Sequence, residues 1–149
     1  MPFVPSPIQV VEKMLSLAEV DEGELVYDLG CGDGRVLFTA ARRFRANAVG
    51  CEIRPQLVTH VRNKIRNLRL DDRIRIVRKD MFTTPLYDAD VITLYLTSDM
   101  LGKLRPKLEA ELKPMARVVC HDFPIPGWTP VHWERSNGHT VYLYRKPRI

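Results

Sequence analysis

The chain has 149 residues, 45% of them hydrophobic and 28% charged, with a formal net charge of +5, a length that suits one domain with a sizeable buried core. No apolar run approaches the roughly 20 residues of a membrane span, and the N-terminus lacks a signal-peptide pattern, so we expect a cytoplasmic protein without membrane contact. Cys31, Cys51 and Cys120 are scattered without a Cys-x-x-Cys pair, which argues against a disulfide framework and a zinc site, and we expect no metal.

The first part of the chain predicts helices and strands in alternation. Ser6 is expected to cap the first helix, with Pro7 at its first position and Gln9 closing a capping box. A second helix is expected to start at Pro55, because apolar residues recur after it at helical spacing. The other predicted elements are strands at 25–29, 48–52, 74–77 and 91–95 and a helix at 35–44.

The second part of the chain predicts one more parallel strand and a terminal hairpin. Leucines from Leu101 to Leu112 mark a helical face, which Pro106 is expected to divide into a turn and a helix. A strand follows at 116–120, and residues 128–144 predict an antiparallel hairpin that turns near Asn137-Gly138. This order implies an α/β fold with a mostly parallel twisted sheet, helices on both faces and the hairpin at one edge.

A glycine-rich segment, LVYDLGCGDGRV, follows the first strand and precedes a helix. Gly30, Gly32 and Gly34 alternate with other residues, and Asp28 lies two positions before the first of them. This spacing matches neither the G-x-G-x-x-G turn of nicotinamide-binding proteins nor a phosphate loop ending in Gly-Lys-Ser or Gly-Lys-Thr. Such a loop lets backbone approach a ligand where a Cβ would clash.

Acidic residues follow the next two strands of the predicted sheet. Glu52 lies 22 positions after Gly30, the spacing at which an acid accepts hydrogen bonds from both ribose hydroxyls of an adenosine. Asp80, after the third strand, is placed to accept from the adenine amine, and Met81 to pack on the ring. Together with the glycine loop, these two positions predict an adenosine-binding site at the carboxyl edge of the sheet.

These features resemble the class I, seven-β-strand S-adenosylmethionine-dependent methyltransferases, which have a Rossmann-like fold. Residues 28–34 are similar to the first motif of that superfamily, Glu52 to its ribose-binding acid and Asp80-Met81 to its adenine motif. The resemblance implies S-adenosylmethionine as cofactor and S-adenosylhomocysteine as product. It implies cofactor contacts from Pro5, Asp28, Gly30, Cys31, Gly32, Gly34, Glu52, Ile53, Asp80 and Met81.

Four further segments resemble one group within that superfamily: residues 3–7, 93–96, 104–108 and 117–123, the last leading to Trp128. The group is the archaeal broad-specificity protein-lysine methyltransferases and their mitochondrial relatives, which modify a nucleotide translocase and an ATP synthase subunit. The resemblance implies methyl transfer to exposed lysine ε-amines of protein substrates. It implies Tyr95 as the catalytic residue, in a substrate channel formed by Tyr95, Asp122, Phe123 and Trp128.

One departure from the wider superfamily lies in the turn before the fifth strand. A glycine often follows the proline there, whereas this chain has Pro114-Met115. Methionine disfavours a positive φ, so the geometry of this turn is not predicted by the resemblance.

Two other functions stay open. Residues 61–79 carry eight basic and two acidic side chains, a local charge of +6, which fits a solvated helix face or an RNA- or DNA-binding surface. An RNA methyltransferase is the first alternative, although residues 93–96 read Thr-Leu-Tyr-Leu and lack the Asn-Pro-Pro-Tyr sequence of base-amine methylation. The second is a nucleic-acid-binding module that binds the adenosine cofactor without turning it over.

The predicted organisation is a single methyltransferase domain over residues 1–149, expected to be monomeric. It comprises a capping segment and helix at 3–20, a cofactor-binding half at 25–95 and a substrate-side half at 96–149. Only two Gln and four Asn accompany 23 Lys and Arg residues, a balance that favours a thermophilic source.

Overall fold

The computed structural model describes residues 5–146, and the expectation for Phe3 and Val4 lies outside them. Four helices are described: α1 (Ile8–Leu17), α2 (Arg35–Arg43), α3 (Pro55–Asn67) and α4 (Ser98–Glu111). Seven strands are described: β1 (Leu25–Leu29), β2 (Asn47–Cys51), β3 (Ile74–Val77), β4 (Val91–Leu94), β5 (Arg117–His121), β6 (His132–Ser136) and β7 (His139–Arg145).

The seven strands form one sheet in the order β3-β2-β1-β4-β5-β7-β6. Strands β1 to β5 pair in parallel, whereas β7 is antiparallel to both β5 and β6. The predicted α/β fold with a C-terminal hairpin is confirmed. Because the chain leaves β1 for β2 on one side and returns to β4 on the other, the strand order reverses beside β1, where open α/β sheets bind their ligands.

Apolar layers cover both faces of the sheet. Helices α1, α2 and α3 pack on one face against residues such as Val26, and α4 packs on the other against residues such as Tyr27 and Ile92. Neighbouring residues of β1 enter opposite layers because successive side chains of a strand point to opposite faces. Burial on both faces explains the nearly continuous apolar sequence of the parallel strands.

The predicted capping box at the start of α1 is wrong. The helix begins at Ile8 with Pro7 in the N-cap position, and no side chain caps it. The hydroxyl of Ser6 instead lies buried and 2.8 Å from Nδ1 of His121, 115 positions along the chain. Tertiary contact with the end of β5 has therefore replaced the local hydrogen bond that the sequence pattern indicated.

The predicted division of α4 at Pro106 is also wrong, because the helix runs through it from Ser98 to Glu111. Proline removes one helical hydrogen bond and disfavours the preceding turn. Leu101, Leu104 and Leu108 are all buried, so apolar burial on both sides of the proline holds the helix continuous.

The turn before β5 places Met115 at φ 70°, in the left-handed region. Its backbone N–H donates to the carbonyl of Lys146 at 3.0 Å, which fixes this conformation against the end of β7. The side chain is 55% exposed and contributes little burial. The turn thus adopts the glycine-type geometry with a residue that is strained in it, by roughly 1–2 kcal/mol.

We expect Met115→Gly to stabilise the protein by about 1 kcal/mol, because glycine adopts a positive φ without strain and little side-chain packing is lost. For a chain of this size the melting temperature should rise by about 2–4 °C in calorimetry. Met115→Ala is the matched control, since it removes the side chain but keeps a Cβ and the strain. A gain as large in Met115→Ala as in Met115→Gly would contradict the explanation.

Candidate active site

A cavity of about 550 Å³ opens at the carboxyl ends of β1, β2 and β4, within the size range of small-molecule sites. It lies at the reversal of strand order. Nine of the residues implicated by the sequence line it: Pro5, Asp28, Gly30, Cys31, Glu52, Ile53, Met81, Tyr95 and Phe123. Sequence reasoning missed other lining residues, among them Ser6, Asp33, Arg35, Arg54, Thr97 and Met100.

The glycine loop bends around the end of β2. The backbone N–H groups of Gly30 and Cys31 both donate to the carbonyl of Cys51, at 2.9 and 3.0 Å. Gly30 has φ +75°, and a Cβ there would lie 3.4 Å from Cε of Met81, on the cavity wall. This glycine therefore brings bare backbone to the cavity, as the sequence predicted.

Gly34 has a different reason for being glycine. It has φ +81°, and a Cβ there would meet Phe38 at 3.0 Å and Val61 at 3.2 Å. Its place is thus between α2 and α3, and among the described residues neither Gly34 nor Gly32 lines the cavity. Gly34 thus allows α2 and α3 to pack closely, and the predicted cofactor contacts of Gly32 and Gly34 stay predictions.

Glu52 fastens the glycine loop to the turn after β2. Its Oε1 accepts the N–H of Gly32 at 3.0 Å, and its Oε2 accepts the N–H groups of Ile53 and Arg54 at 3.1 and 3.0 Å. A carboxylate offers about four acceptor positions, of which three are used here. One position on Oε1 is left for a ligand hydroxyl, so accepting from two ribose hydroxyls requires Glu52 to release a backbone amide.

Asp28 is a carboxyl group held in an apolar environment. It is 7% exposed, and the hydroxyl of Thr93 donates to its Oδ1 at 2.8 Å. Burial raises the pKa of Asp28 to about 7, against the effect of the Thr93 hydrogen bond, and the nearby Glu52 and Asp33 raise it further. A cationic ligand in the cavity would favour the ionised form, because an opposite charge lowers the pKa of a carboxyl group.

Arg35 connects the loop to the segment before α1. Its Nε and Nη2 donate to the two carboxylate oxygens of Asp33, at 3.1 and 2.6 Å, and its Nη1 donates to the carbonyl of Ser6 at 3.0 Å. Burial acts to raise the pKa of Asp33, but the hydrogen bonds from Arg35 prevail and lower it. This bidentate pair holds residues 5 and 6 over the edge of the cavity.

The opposite wall of the cavity is apolar and aromatic. Leu94, Leu96 and Met100 line it together with Tyr95 and Phe123. The ring of Tyr95 stacks on that of His121 with centroids 3.8 Å apart. Burial, together with the nearby Asp122, raises the pKa of Tyr95, so its hydroxyl is protonated near neutral pH.

Besides Gly32 and Gly34, three further residues assigned from the sequence do not line the cavity. Trp128 is buried against Tyr144 and donates from Nε1 to Glu109 of α4 at 3.1 Å, which corrects the expectation that it forms a channel wall. Asp80 is exposed, and its Oδ1 accepts the N–H of Phe82 at 2.9 Å in a local turn.

Asp122 is the third of these residues. Its carboxylate turns toward β7, where Oδ2 lies 2.9 Å from Nδ1 of His139 and Oδ1 accepts the N–H of Thr140 at 3.1 Å. These bonds hold the side chain behind Tyr95 rather than in the channel. The expectation that Asp122 faces the entering substrate is therefore corrected.

The cavity fits a ligand with a cationic amine at one end and hydroxyl groups at the other. Asp28 offers a buried acceptor without a cationic partner among its described contacts, and Glu52 offers one remaining acceptor position. The backbone of Gly30 lines the same cavity. S-Adenosylmethionine has these groups in this order.

A family model described as the ANTKMT methyltransferase domain matches residues 28–132. A protein-lysine N-methyltransferase from Saccharolobus islandicus is 43% identical, with 97% of this chain and 92% of that protein covered. The chain belongs to the ANTKMT methyltransferase family. The adenine nucleotide translocase lysine N-methyltransferase of Mus musculus is 36% identical over 97% of this chain, which spans 62% of the length of that protein.

A solved structure supports the same family. It is described as an RNA methyltransferase from Salinibacter ruber in complex with S-adenosylhomocysteine, and it is 42% identical with a TM-score of 0.94. The similarity covers 97% of this chain and 94% of that one. The ANTKMT-family chain is thus an S-adenosylmethionine-dependent methyltransferase.

We expect cofactor affinity to fall as the pH drops below about 7. We expect the ionised form of Asp28 to accept from the cofactor's ammonium, and its pKa of about 7 means that the free carboxyl is protonated below this pH. The affinity should fall roughly tenfold per pH unit between about pH 7 and about pH 5, with release of a proton on binding. Titration calorimetry in buffers of different ionisation enthalpy measures both quantities.

Asp28→Asn is the matched control for this experiment. It keeps the hydrogen bond to Thr93 possible but has no proton to lose, so its affinity should be weaker than that of the parent and nearly independent of pH in this range. A parent protein whose affinity is the same at both ends of the range would contradict the role of Asp28.

Proposed function

We propose that this enzyme is a protein-lysine N-methyltransferase of broad specificity. The observation that carries the proposal is its 43% identity with the Saccharolobus islandicus protein-lysine N-methyltransferase, over nearly the whole of both chains. A cavity that opens at the carboxyl edge of the sheet suits lysines exposed on the surface of many proteins.

The proposed cofactor contacts follow from the cavity. Asp28 accepts from the ammonium group, Glu52 accepts from a ribose hydroxyl, and Met81 packs on the adenine. Gly30, with Pro5, Cys31 and Ile53, provides the surrounding wall. When bound, S-adenosylmethionine supplies a methyl group on a positively charged sulfur that is a good leaving group.

Tyr95 and Phe123 are proposed to form the lysine channel. Both residues line the cavity beside Leu94 and Leu96, where their aromatic faces favour an approaching cation. Desolvation lowers the pKa of lysine from about 10.4, which raises the fraction of neutral amine. Tyr95 retains its own proton and therefore positions the amine instead of accepting its proton.

RNA methylation is the second candidate. The Salinibacter ruber structure is described as an RNA methyltransferase, and the basic side chains of Arg62 and Arg66 on α3 and of Arg78 after β3 are exposed. We favour lysine because the matching family model and several relatives, from Saccharolobus islandicus to Mus musculus, are named for lysine methylation. The sequence 93–96 also lacks the motif of base-amine methylation.

We further propose one cytoplasmic methyltransferase domain that acts as a monomer. The assignment of one domain is supported by the sheet, because β1 to β7 all belong to the same seven-stranded sheet. Across residues 5–146, no helix has the length and apolar character to cross a membrane.

The deciding experiment supplies methyl-labelled S-adenosylmethionine with two substrates: cell protein treated with nuclease, and total RNA treated with protease. We expect label on protein, recovered as methylated lysine by mass spectrometry. Label on RNA bases with lysines untouched would show that the second candidate is right.

A charge-reversed variant, Arg62→Glu with Arg78→Glu, sharpens the distinction. Both side chains are exposed and lie outside the cavity. Contacts between basic side chains and phosphates dominate the affinity of proteins for nucleic acids, so reversing these two charges should weaken RNA binding. Lysine methylation of the protein mixture should stay within about twofold of the parent value. Methylation of RNA that is present with the parent and falls more than tenfold with this variant would favour RNA.

A further inference from the structure

Three ligand-type atoms converge behind Tyr95. They are Nε2 of His121 at the end of β5, Oδ2 of Asp122 next to it, and Nδ1 of His139 at the start of β7. The two nitrogens lie 2.8 Å apart, and Oδ2 lies 2.9 Å from His139 and 3.4 Å from His121. All three atoms can lie about 2.1 Å from one common point, the bond length of zinc to imidazole nitrogen and carboxylate oxygen.

Any single proton in this cluster leaves one pair of lone pairs facing each other. If Nε2 of His121 carries a proton, it donates to Nδ1 of His139. The Nδ1 lone pair of His139 is then used by this bond, and no proton lies between His139 and the carboxylate of Asp122. If Nδ1 of His139 carries the proton, Nε2 of His121 is left as a lone pair facing the same oxygen. One proton cannot bridge all three contacts, whereas a cation between them attracts all three lone pairs.

Outer hydrogen bonds orient two of the three groups, His121 and Asp122, toward that common point. The hydroxyl of Ser6 lies 2.8 Å from Nδ1 of His121, so a proton on Nδ1 leaves Nε2 as the ligand. The N–H of Thr140 occupies Oδ1 of Asp122 at 3.1 Å and leaves Oδ2. Metal-binding histidines and carboxylates are usually held by such second hydrogen bonds.

The backbone is strained to make this arrangement. Asp122 has φ 65° although it is not glycine, and its N–H is held by the carbonyl of Thr140 at 2.7 Å. Strain of this kind concentrates at functional sites. The side chains of Asp122 and His139 are 29% and 31% exposed while that of His121 is fully buried, so an ion has a route from solvent.

We propose that His121, Asp122 and His139 form a binding site for one divalent transition-metal ion of the zinc class. Two imidazoles and one carboxylate are the ligands that zinc, cobalt and nickel accept. No sequence pattern indicates this site, because the third ligand lies 17 positions away from the second, across the hairpin. The bound ion would join β5 to β7 and fix the imidazole on which Tyr95 stacks.

Two titrations of the full chain, prepared without a polyhistidine tag and treated with chelator, test the proposal. Zn²⁺ is titrated by calorimetry, and Co²⁺ is followed by its visible absorption, which reports ligand number and type. We expect one ion per chain and no thiolate-to-cobalt band, because all three cysteines are free and buried. Neither titration depends on methyl transfer. The metal-site proposal can therefore fail or succeed independently of the proposed lysine methylation.

His139→Ala and Asp122→Asn should each weaken Zn²⁺ binding at least tenfold and abolish the tetrahedral cobalt spectrum. His132→Ala is the matched control, since it removes an exposed histidine of the same hairpin that pairs with Glu134, and it should bind as the parent does. The proposal is overturned if the parent binds no ion, or if His139→Ala or Asp122→Asn binds as tightly as His132→Ala.

Discussion

The carboxylate of Glu52 is the interaction on which the active site depends. Its three hydrogen bonds to backbone N–H groups join the glycine loop after β1 to the turn after β2. The positive φ values of the glycine loop turn backbone N–H groups toward the protein interior. Buried N–H groups need hydrogen-bond acceptors. A carboxylate supplies these with charge-assisted bonds, which are stronger than bonds between neutral groups. The ligand-binding edge is therefore already formed before any ligand arrives.

That arrangement also sets the charge of the site. Glu52 and Asp28 are both buried, and the proximity of Glu52 contributes to the raised pKa of Asp28. An empty site of this kind holds more negative charge than an apolar cavity favours. A cofactor with an ammonium and a sulfonium group relieves the repulsion, so the electrostatic energy is recovered on binding. The cavity is in this sense selective for a cationic ligand.

The sequence predicted the sheet because its signals are local. An apolar run such as Leu25–Leu29, followed by glycines and a helical pattern, identifies a parallel strand without knowledge of its neighbours. The strand-end rule then placed Glu52 and Met81 correctly at the cavity. The same local reasoning failed where distant contacts decide, at Ser6, whose partner is His121, and at Pro106, where buried leucines override the helix-breaking tendency.

The remainder of the site depends on side-chain directions that no sequence pattern specifies. Trp128 and Asp122 were placed in the channel by resemblance, yet hydrogen bonds to Glu109 and Thr140 turn them elsewhere. Arg35 and Thr93 were missed because their roles arise from pairing with Asp33 and Asp28. Such pairs appear only when the strands and the loop are assembled.

The most direct test of the proposed cofactor site is a crystal structure of the enzyme with S-adenosylhomocysteine. We expect the ammonium nitrogen within about 3.2 Å of the Asp28 carboxylate and a ribose hydroxyl within about 3.2 Å of Oε1 of Glu52, with the sulfur facing Tyr95. A cofactor bound in the opposite direction, or with its ribose away from Glu52, would contradict this assignment.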